Sequence, residues 1–148
     1  MYKHILIPTD GSEVAEKAVT AGIDFAREAG ARVTLFTAVP EYEPPSEGAI
    51  MARRGVVSIA DYARECERVA SGILSNATRQ ARAARLEFDT DYAQSNRPWQ
   101  AIIDAAQRHG CDAIFMASHG RQGLAAVWHG SQTREVLTHS SIPTLVYR

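Results

Sequence analysis

The chain has 148 residues, of which 45% are hydrophobic and 22% charged, and its formal net charge at pH 7 is −1. This length and composition fit one globular domain with its own core, predicted over residues 1–148. The nearly neutral charge argues against nucleic acid as a partner, and no apolar run reaches the roughly 20 residues that cross a membrane. Cys66 and Cys111 lack metal or redox spacing, and the N-terminus does not resemble a signal peptide, so a reduced, cytoplasmic protein is expected.

Short apolar runs alternate with segments of helical periodicity along the chain. A first strand is predicted over His4–Pro8, and a helix capped by Ser12 follows it and ends near Gly30. The second strand covers Arg32–Val39. Residues Glu41–Ser58 contain prolines and glycines without a clear period and are interpreted as a long loop.

The middle of the chain predicts a second long helix, from Ile59 to about Arg85. Leu86–Tyr92 alternates between apolar and polar residues and is predicted to be the third strand. Asn96 is predicted to cap a third helix, with Pro98 in its first turn and Gly110 after its end.

The C-terminal third predicts a fourth strand over Ala113–Ala117, a short helix over Gln132–His139 and a last strand over Ile142–Tyr147. Pro143 suits the edge of a sheet, where its missing N–H costs no pairing. Strands that alternate with helices predict an α/β fold, in which a parallel sheet carries helices on both faces.

Two loops carry the chemistry. The first strand ends in Pro8-Thr9-Asp10-Gly11-Ser12, and the loop after the fourth strand ends in small polar residues that can open a helix. Unpaired N–H groups at a helix N-terminus bind anions, and ligands of such sheets lie beyond the carboxyl ends of the strands. If the first and fourth strands are adjacent, Asp10 faces the segment Gly120–Gly130 across one cleft. We therefore predict a phosphate-bearing ligand there.

Several residues of these loops allow more than one interpretation. Asp10 would repel phosphates, which indicates a Mg²⁺ ion between them, but it can equally bind backbone amides or a ribose, or stabilise the turn. Arg121 either neutralises phosphate or faces solvent. His119 and His129 either contact the ligand or are solvated. The chain has neither a Walker-type phosphate loop nor the glycine pattern of dinucleotide enzymes.

Three segments in the right order resemble the universal stress protein family. In its signature, a G-x-x-G pair is followed by nine residues and then G-[ST]. Here Gly120 is followed by nine residues and Gly130-Ser131, and Ala117 stands in place of the first glycine. The opening Ile5–Ser12 looks like the family's first strand and loop, and the closing Ser141–Val146 looks like its last strand. The resemblance covers essentially the whole chain.

The resemblance implies a three-layer open sheet of five parallel strands in the order 3-2-1-4-5, as in adenine nucleotide alpha hydrolase-like folds, and a homodimer. We expect the dimer to pair through the last strand, Ile142–Tyr147. One subgroup of the family binds ATP, and here the cation inferred from Asp10 would be Mg²⁺. Another subgroup lacks nucleotide, and Ala117 favours this alternative, a protein-interaction module. The residues implied to surround the nucleotide are Pro8, Thr9, Asp10, Ala38, Met116, Ala117, Gly120, Arg121, Gly130, Ser131, Gln132 and Thr133.

No residue is predicted to be catalytic, because no general base or transition-state arginine is evident. We expect a stress-response or signalling module with at most slow ATP hydrolysis or autophosphorylation.

A basic ridge on the second helix consists of Arg79, Arg82 and Arg85. It is interpreted as a solvated face.

Overall fold

The structure is a computed structural model that describes residues 1–42, 58–118 and 131–148. Its strands are β1 (His4–Pro8), β2 (Arg32–Val39), β3 (Phe88–Gln94), β4 (Ala113–Ala117) and β5 (Thr144–Tyr147). Its helices are α1 (Glu13–Ala29), α2 (Ile59–Ala83), α3 (Pro98–Arg108) and α4 (Ser131–His139). Within these ranges no helix combines the length and apolar character needed to span a membrane. Most of the predicted loop Glu41–Ser58 lies outside the described residues.

The five strands form one sheet in the order β3-β2-β1-β4-β5, and every pair is parallel. This confirms the predicted α/β fold and strand order. In the register, Ile5 of β1 lies between Val33 of β2 and Ala113 of β4. The chain winds outward in both directions from β1 and β4, so the carboxyl ends of these two strands meet at the point where the strand order reverses.

Both faces of the central strands β1, β2 and β4 are buried, which explains why these strands are largely apolar and do not alternate. Side chains of a strand point to opposite faces in turn. One face packs against α1 and α2 through Ile5, Ile7, Val19, Val33, Leu35, Leu74 and Phe115. The other packs against α3 and α4 through Leu6, Phe36, Ile102, Ile114, Met116 and Val136.

Helix α1 approaches the sheet closely at Gly22. A Cβ atom built there would lie 3.0 Å from Cδ1 of Ile7 and 3.0 Å from Cδ1 of Phe115. Glycine, which has no Cβ atom, therefore allows α1 to pack closely on the sheet here. This close packing offsets the weak helix propensity of glycine.

The ends of α1 are those predicted. The Ser12 hydroxyl accepts a hydrogen bond from the N–H of Ala15 at 3.3 Å, and Gly30 ends the helix with a left-handed φ of 67°. The predicted cap of α3 is wrong. Arg97 occupies the cap position without a side-chain bond, because the Asn96 side chain accepts instead from the N–H of Glu41 at 3.1 Å.

Two strands begin later than predicted. β3 starts at Phe88 rather than Leu86, because the N–H of Leu86 still bonds to the Ala81 carbonyl at the end of α2, at 3.1 Å. β5 starts at Thr144 rather than Ile142, whose N–H is held by the Ser140 hydroxyl at 3.0 Å. Both early residues are apolar because they pack against the core from outside the sheet.

Candidate functional site

The turn after β1 is organised by Thr9, whose side chain is fully buried. Its N–H donates to the Phe36 carbonyl at 2.8 Å and so continues the pairing of β1 with β2. Its hydroxyl accepts from the N–H of Gly11 at 3.1 Å and donates to the Glu16 carboxylate at 3.3 Å. Gly11 has a φ of 78°, which favours glycine. The hydrogen bonds of Thr9 therefore hold the turn in this conformation.

Asp10 lies at the top of this turn and is partly exposed. Its Oδ1 accepts a hydrogen bond from the N–H of Ser12 at 2.9 Å, which is the turn-stabilising role considered from the sequence. The N–H groups of Gly11, Ser12 and Ala15 thus all have side-chain acceptors from within the turn. These three donors are therefore engaged within the turn and do not form an amide cradle for a ligand.

A cavity of about 520 Å³ opens beside this turn, on the side of α1 and α2. Its wall includes Asp10, Glu16, Arg68 and Asn76. The amide of Asn76 donates to the Glu16 carboxylate, so α2 is tied to the same carboxylate that holds Thr9.

The start of α4 is fixed to the end of β4. The hydroxyl of Thr133, a largely buried residue, donates to the carbonyl oxygen of Ala117 at 2.7 Å. Because β4 pairs directly with β1, the first turn of α4 and the turn that holds Asp10 both lie at the carboxyl edge of the sheet. Ser131 is the first residue of α4 and is exposed there, one position earlier than the predicted helix start.

Gln132 has a structural contact that the sequence did not indicate. Its side-chain oxygen accepts from the N–H of Trp99 in the first turn of α3, at 2.9 Å. Gln132 therefore accepts from an N-terminal amide of α3, the role that the sequence predicts for Asn96. The two residues are 33 positions apart, and a local capping pattern could not have revealed the pair.

Three of the predicted site residues form an apolar wall at this edge. Ala38 and Met116 are 7% and 3% exposed and belong to the same cluster on the α3 and α4 face. Pro8 ends β1, is buried and lies opposite Phe36 of β2.

Ala117 lies in regular strand structure and pairs with Tyr147. Among the non-glycine residues that the structure describes, Arg85 alone has a positive φ. The backbone at Ala117 therefore does not require glycine, and its methyl group matters through the space it fills.

The remaining predicted residues, Gly120, Arg121 and Gly130, lie outside the described residues, as do His119 and His129. Within the described ranges no cluster of three or more histidine, cysteine or carboxylate side chains could hold a metal ion. The described residues therefore supply too few side-chain ligands for a cation held by protein alone, which fits Mg²⁺, an ion that usually keeps waters and phosphate oxygens.

Comparisons with known proteins agree with this architecture. Residues 1–148 match the model of the universal stress protein family, and the chain belongs to this family. It is 28% identical to Universal stress protein MJ0577 of Methanocaldococcus jannaschii, over 100% of this chain and 96% of that protein. The solved structure of MJ0577 covers 99% of this chain, and this chain covers 95% of it, with a TM-score of 0.71 and 26% identity.

Two solved structures of universal stress proteins contain an adenine nucleotide. One is a complex with cAMP, with a TM-score of 0.68, 22% identity and coverage of 99% of this chain and 97% of that one. The other is the Archaeoglobus fulgidus protein with dAMP, with a TM-score of 0.63, 19% identity and coverage of 99% of this chain and 98% of that one. At these identities the likeness is one of fold.

Proposed function

We propose that this protein binds ATP with Mg²⁺ at the carboxyl edge of β1 and β4 and acts in the cytoplasm as a stress-response or signalling module. The observation that carries the proposal is the pairing of β1 with β4 together with the bond from Thr133 to Ala117. These contacts bring a carboxylate turn and a helix N-terminus to one edge of the sheet. The adenine nucleotides bound by two relatives of the same fold support the same ligand class.

The chemistry of each group suits a part of the ligand. The N–H groups in the first turn of α4, with Ser131 and the preceding Gly130, are suited to phosphate oxygens. Arg121 would neutralise phosphate charge, and Gly120 would let the backbone come close. Asp10 would supply one carboxylate oxygen to Mg²⁺.

The apolar wall of Pro8, Ala38 and Met116 would lie against the base. Thr9 and Gln132 would act indirectly, because their side chains already hold the turn and the start of α3. Ala117 and Thr133 would keep the start of α4 beside β4. This set contains no positioned general base, so binding rather than turnover is proposed.

Calorimetric titration with ATP, with and without Mg²⁺, tests the proposal, after mass spectrometry has identified any nucleotide that purifies with the protein. We expect binding that Mg²⁺ strengthens. Gly130→Val should abolish it, since the side chain would fill space needed by a phosphate. Asp10→Asn retains the oxygen that accepts from Ser12 and should remove mainly the Mg²⁺ effect.

Circular dichroism and the melting temperature show whether each variant is folded. Failure of the wild-type protein to bind ATP with Mg²⁺, with no nucleotide in the purified sample, would overturn the proposal. Undiminished binding by a folded Gly130→Val variant would mean that the loop is not the phosphate cradle.

A second candidate function, a nucleotide-free interaction module, is favoured by Ala117, which stands where the family signature has glycine. Since the backbone there is extended, the methyl group could act only by occupying ligand space. Ala117→Gly tests this alternative: if the methyl excludes ATP, the variant gains binding that the wild type lacks. Equal affinity in both proteins would remove the support for this alternative.

We also propose that two copies pair through β5, which forms one edge of the sheet. The N–H of Ile114 bonds to the Pro143 carbonyl at 2.9 Å, and the N–H of Ser118 bonds to the Tyr147 carbonyl at 2.7 Å. In a parallel ladder this pattern turns the backbone groups of Thr144 and Val146 away from β4. These groups are suited to pair with a second copy.

A further inference from the structure

A groove of about 680 Å³ runs between α2 and the edge strand β3, at the opposite side of the sheet from β5. Its lining includes Ser71, Ser75, Arg79 and Arg82 of α2 and Phe88 and Thr90 of β3. Thr90 is exposed although it lies on a strand, because α2 does not cover the outer side of β3. The groove therefore lies along a strand that has room beside it.

The backbone of β3 offers hydrogen bonds to this space. Among the described residues, β3 pairs with β2 alone. Bonds from the Val33 N–H to the Glu87 carbonyl at 3.0 Å and from the Ser95 N–H to the Val39 carbonyl at 2.8 Å bracket the strand. The backbone N–H and C=O groups of the odd-numbered residues of β3 thus bond to β2, whereas those of the even-numbered Phe88 and Thr90 point outward.

The outward N–H of the next even residue, Tyr92, is covered. It donates to the carboxylate of Asp91 at 2.8 Å, and the other oxygen of this carboxylate accepts from Arg108 at 2.6 Å and His109 at 2.8 Å. Asp91 therefore closes one end of the edge and leaves the end at Phe88 and Thr90 open.

The open end is basic. Within the part of the chain that the structure describes, neither Arg79 nor Arg82 forms an ion pair. Arg79 donates to the side chain of Asn76 at 3.0 Å, and the Arg82 guanidinium lies 5.9 Å from the ring centre of Phe88. By contrast, Arg64 near the start of the same helix pairs with Asp61 at 2.5 Å.

The acidic residue of α2 that borders the groove, Glu67, stands far from this end. It precedes Arg82 by fifteen residues, which is about 22 Å along a helix. The two arginines thus form a cationic patch beside backbone donors and acceptors that no described residue pairs. The chemistry that complements this combination is an extended backbone carrying a carboxylate.

We propose that the groove between α2 and β3 docks an extended acidic segment of a partner protein. The segment adds a strand to the sheet at Phe88 and Thr90 and places a carboxylate beside Arg79 and Arg82. Main-chain pairing of this kind supplies affinity, and side-chain pockets supply selectivity. The docking site needs neither the nucleotide nor the edge formed by β5, so it stands independently of the proposed ATP binding.

The probe is a fluorescein-labelled peptide of sequence Ser-Val-Glu-Val-Glu-Val-Ser, titrated with the full chain by fluorescence anisotropy at low salt. Arg82→Glu should weaken binding about tenfold, as expected for a close charge pair in a docked interface. The matched control, Arg64→Glu, changes the charge equally on the same helix outside the groove. It should change affinity by less than about twofold.

A second pair of variants tests the added strand. Thr90→Pro removes an outward N–H without breaking a bond to β2, so the protein should fold and lose the peptide. Val146→Pro removes an outward N–H at the opposite edge of the sheet, and this variant should still bind the peptide. Amide NMR shifts on peptide addition should centre on Phe88 and Thr90.

Four results would overturn the proposal: no saturable peptide binding, equal binding of a peptide with lysine in place of glutamate, equal effects of Arg82→Glu and Arg64→Glu, or a protein dimer that dissociates on Thr90→Pro. The last result would assign the groove to a second copy of this chain.

Discussion

The hydroxyl of Thr133 donates a hydrogen bond of 2.7 Å to the carbonyl oxygen of Ala117 and joins the first turn of α4 to the last residue of β4. The bond spans 16 residues, and the segment 119–130 between the two elements includes the proposed phosphate loop. One side chain therefore fixes both ends of that loop relative to each other.

Thr133→Val should lower the free energy of unfolding by about 1–2 kcal/mol, because an isosteric methyl at this largely buried position leaves the Ala117 carbonyl without this donor. Urea unfolding measures the change. Thr138→Val is the matched control, since the Thr138 hydroxyl bonds to the Arg134 carbonyl at an exposed position of the same helix, and it should cost less than about 0.5 kcal/mol. Equal losses in the two variants would show that the bond does not join the elements.

Gly22→Ala and Gly72→Ala should have opposite signs. At Gly22 the new methyl would meet Ile7 and Phe115 at 3.0 Å in the core, and crowding should outweigh the better helix propensity by about 1 kcal/mol. At Gly72 no described atom lies within 4 Å of the added Cβ, so the protein should gain about 0.5–1 kcal/mol. Calorimetric melting temperatures test both, and stabilisation by Gly22→Ala would contradict the close approach of α1.

The stability should fall as the pH drops from 7 to 5 because of His4. Its Nε2 lies 2.8 Å from the Thr34 hydroxyl. Burial lowers the pKa of His4, and the charges of Arg32 and His109 add to this lowering, while Asp89 and Asp112 act in the opposite direction. The unfolded chain, with a histidine pKa of about 6.5, then binds more protons than the folded one. The contribution of His4 to the free energy of unfolding is therefore complete above the unfolded pKa. It is lost as the pH falls from the unfolded pKa through the lower folded pKa.

His4→Gln should flatten this part of the curve of unfolding free energy against pH. The carboxyls of Asp91 and Asp112 do not interfere, because their pKa values are lowered and their contributions are lost only at more acidic pH. An unchanged slope in His4→Gln would contradict this assignment.

Val146→Pro should convert the proposed dimer to a monomer. Proline removes an outward N–H of β5 while the bonds from β5 to β4 remain. Sedimentation equilibrium measures the mass, and Thr90→Pro at the other edge should leave the dimer intact. A dimer that survives Val146→Pro must use another surface.

The sequence predicted the sheet well because burial on both faces makes β1 and β4 largely apolar and leaves β2 interrupted only by Thr34 and Thr37 after its first residue. The strand boundaries were less accurate where an apolar residue packs against the core outside the ladder. Leu86 and Ile142 are such residues, and neighbouring turns hold their N–H groups. Apolar character reports burial, whereas the ends of a strand depend on pairing.

The site was predicted in part for a similar reason. The turn bond of Asp10 is local, and an Asp-Gly-Ser sequence indicates it. The bonds from Thr133 to Ala117 and from Trp99 to Gln132 join residues far apart in sequence, and no local pattern marks them. The ligand roles of all the predicted site residues, including Gly120, Arg121 and Gly130, stay predictions.

Because Gln132 of α4 contacts Trp99, tryptophan fluorescence can report on the start of α4. The Trp99 ring stacks on His139 with centroids 4.6 Å apart, and the backbone N–H of Trp99 donates to the Gln132 side chain on the helix that would receive the phosphates. Trp99 is one of two tryptophans in the chain, so Trp128→Phe leaves Trp99 as the single tryptophan. Its emission can then follow occupancy of the loop in real time without a label.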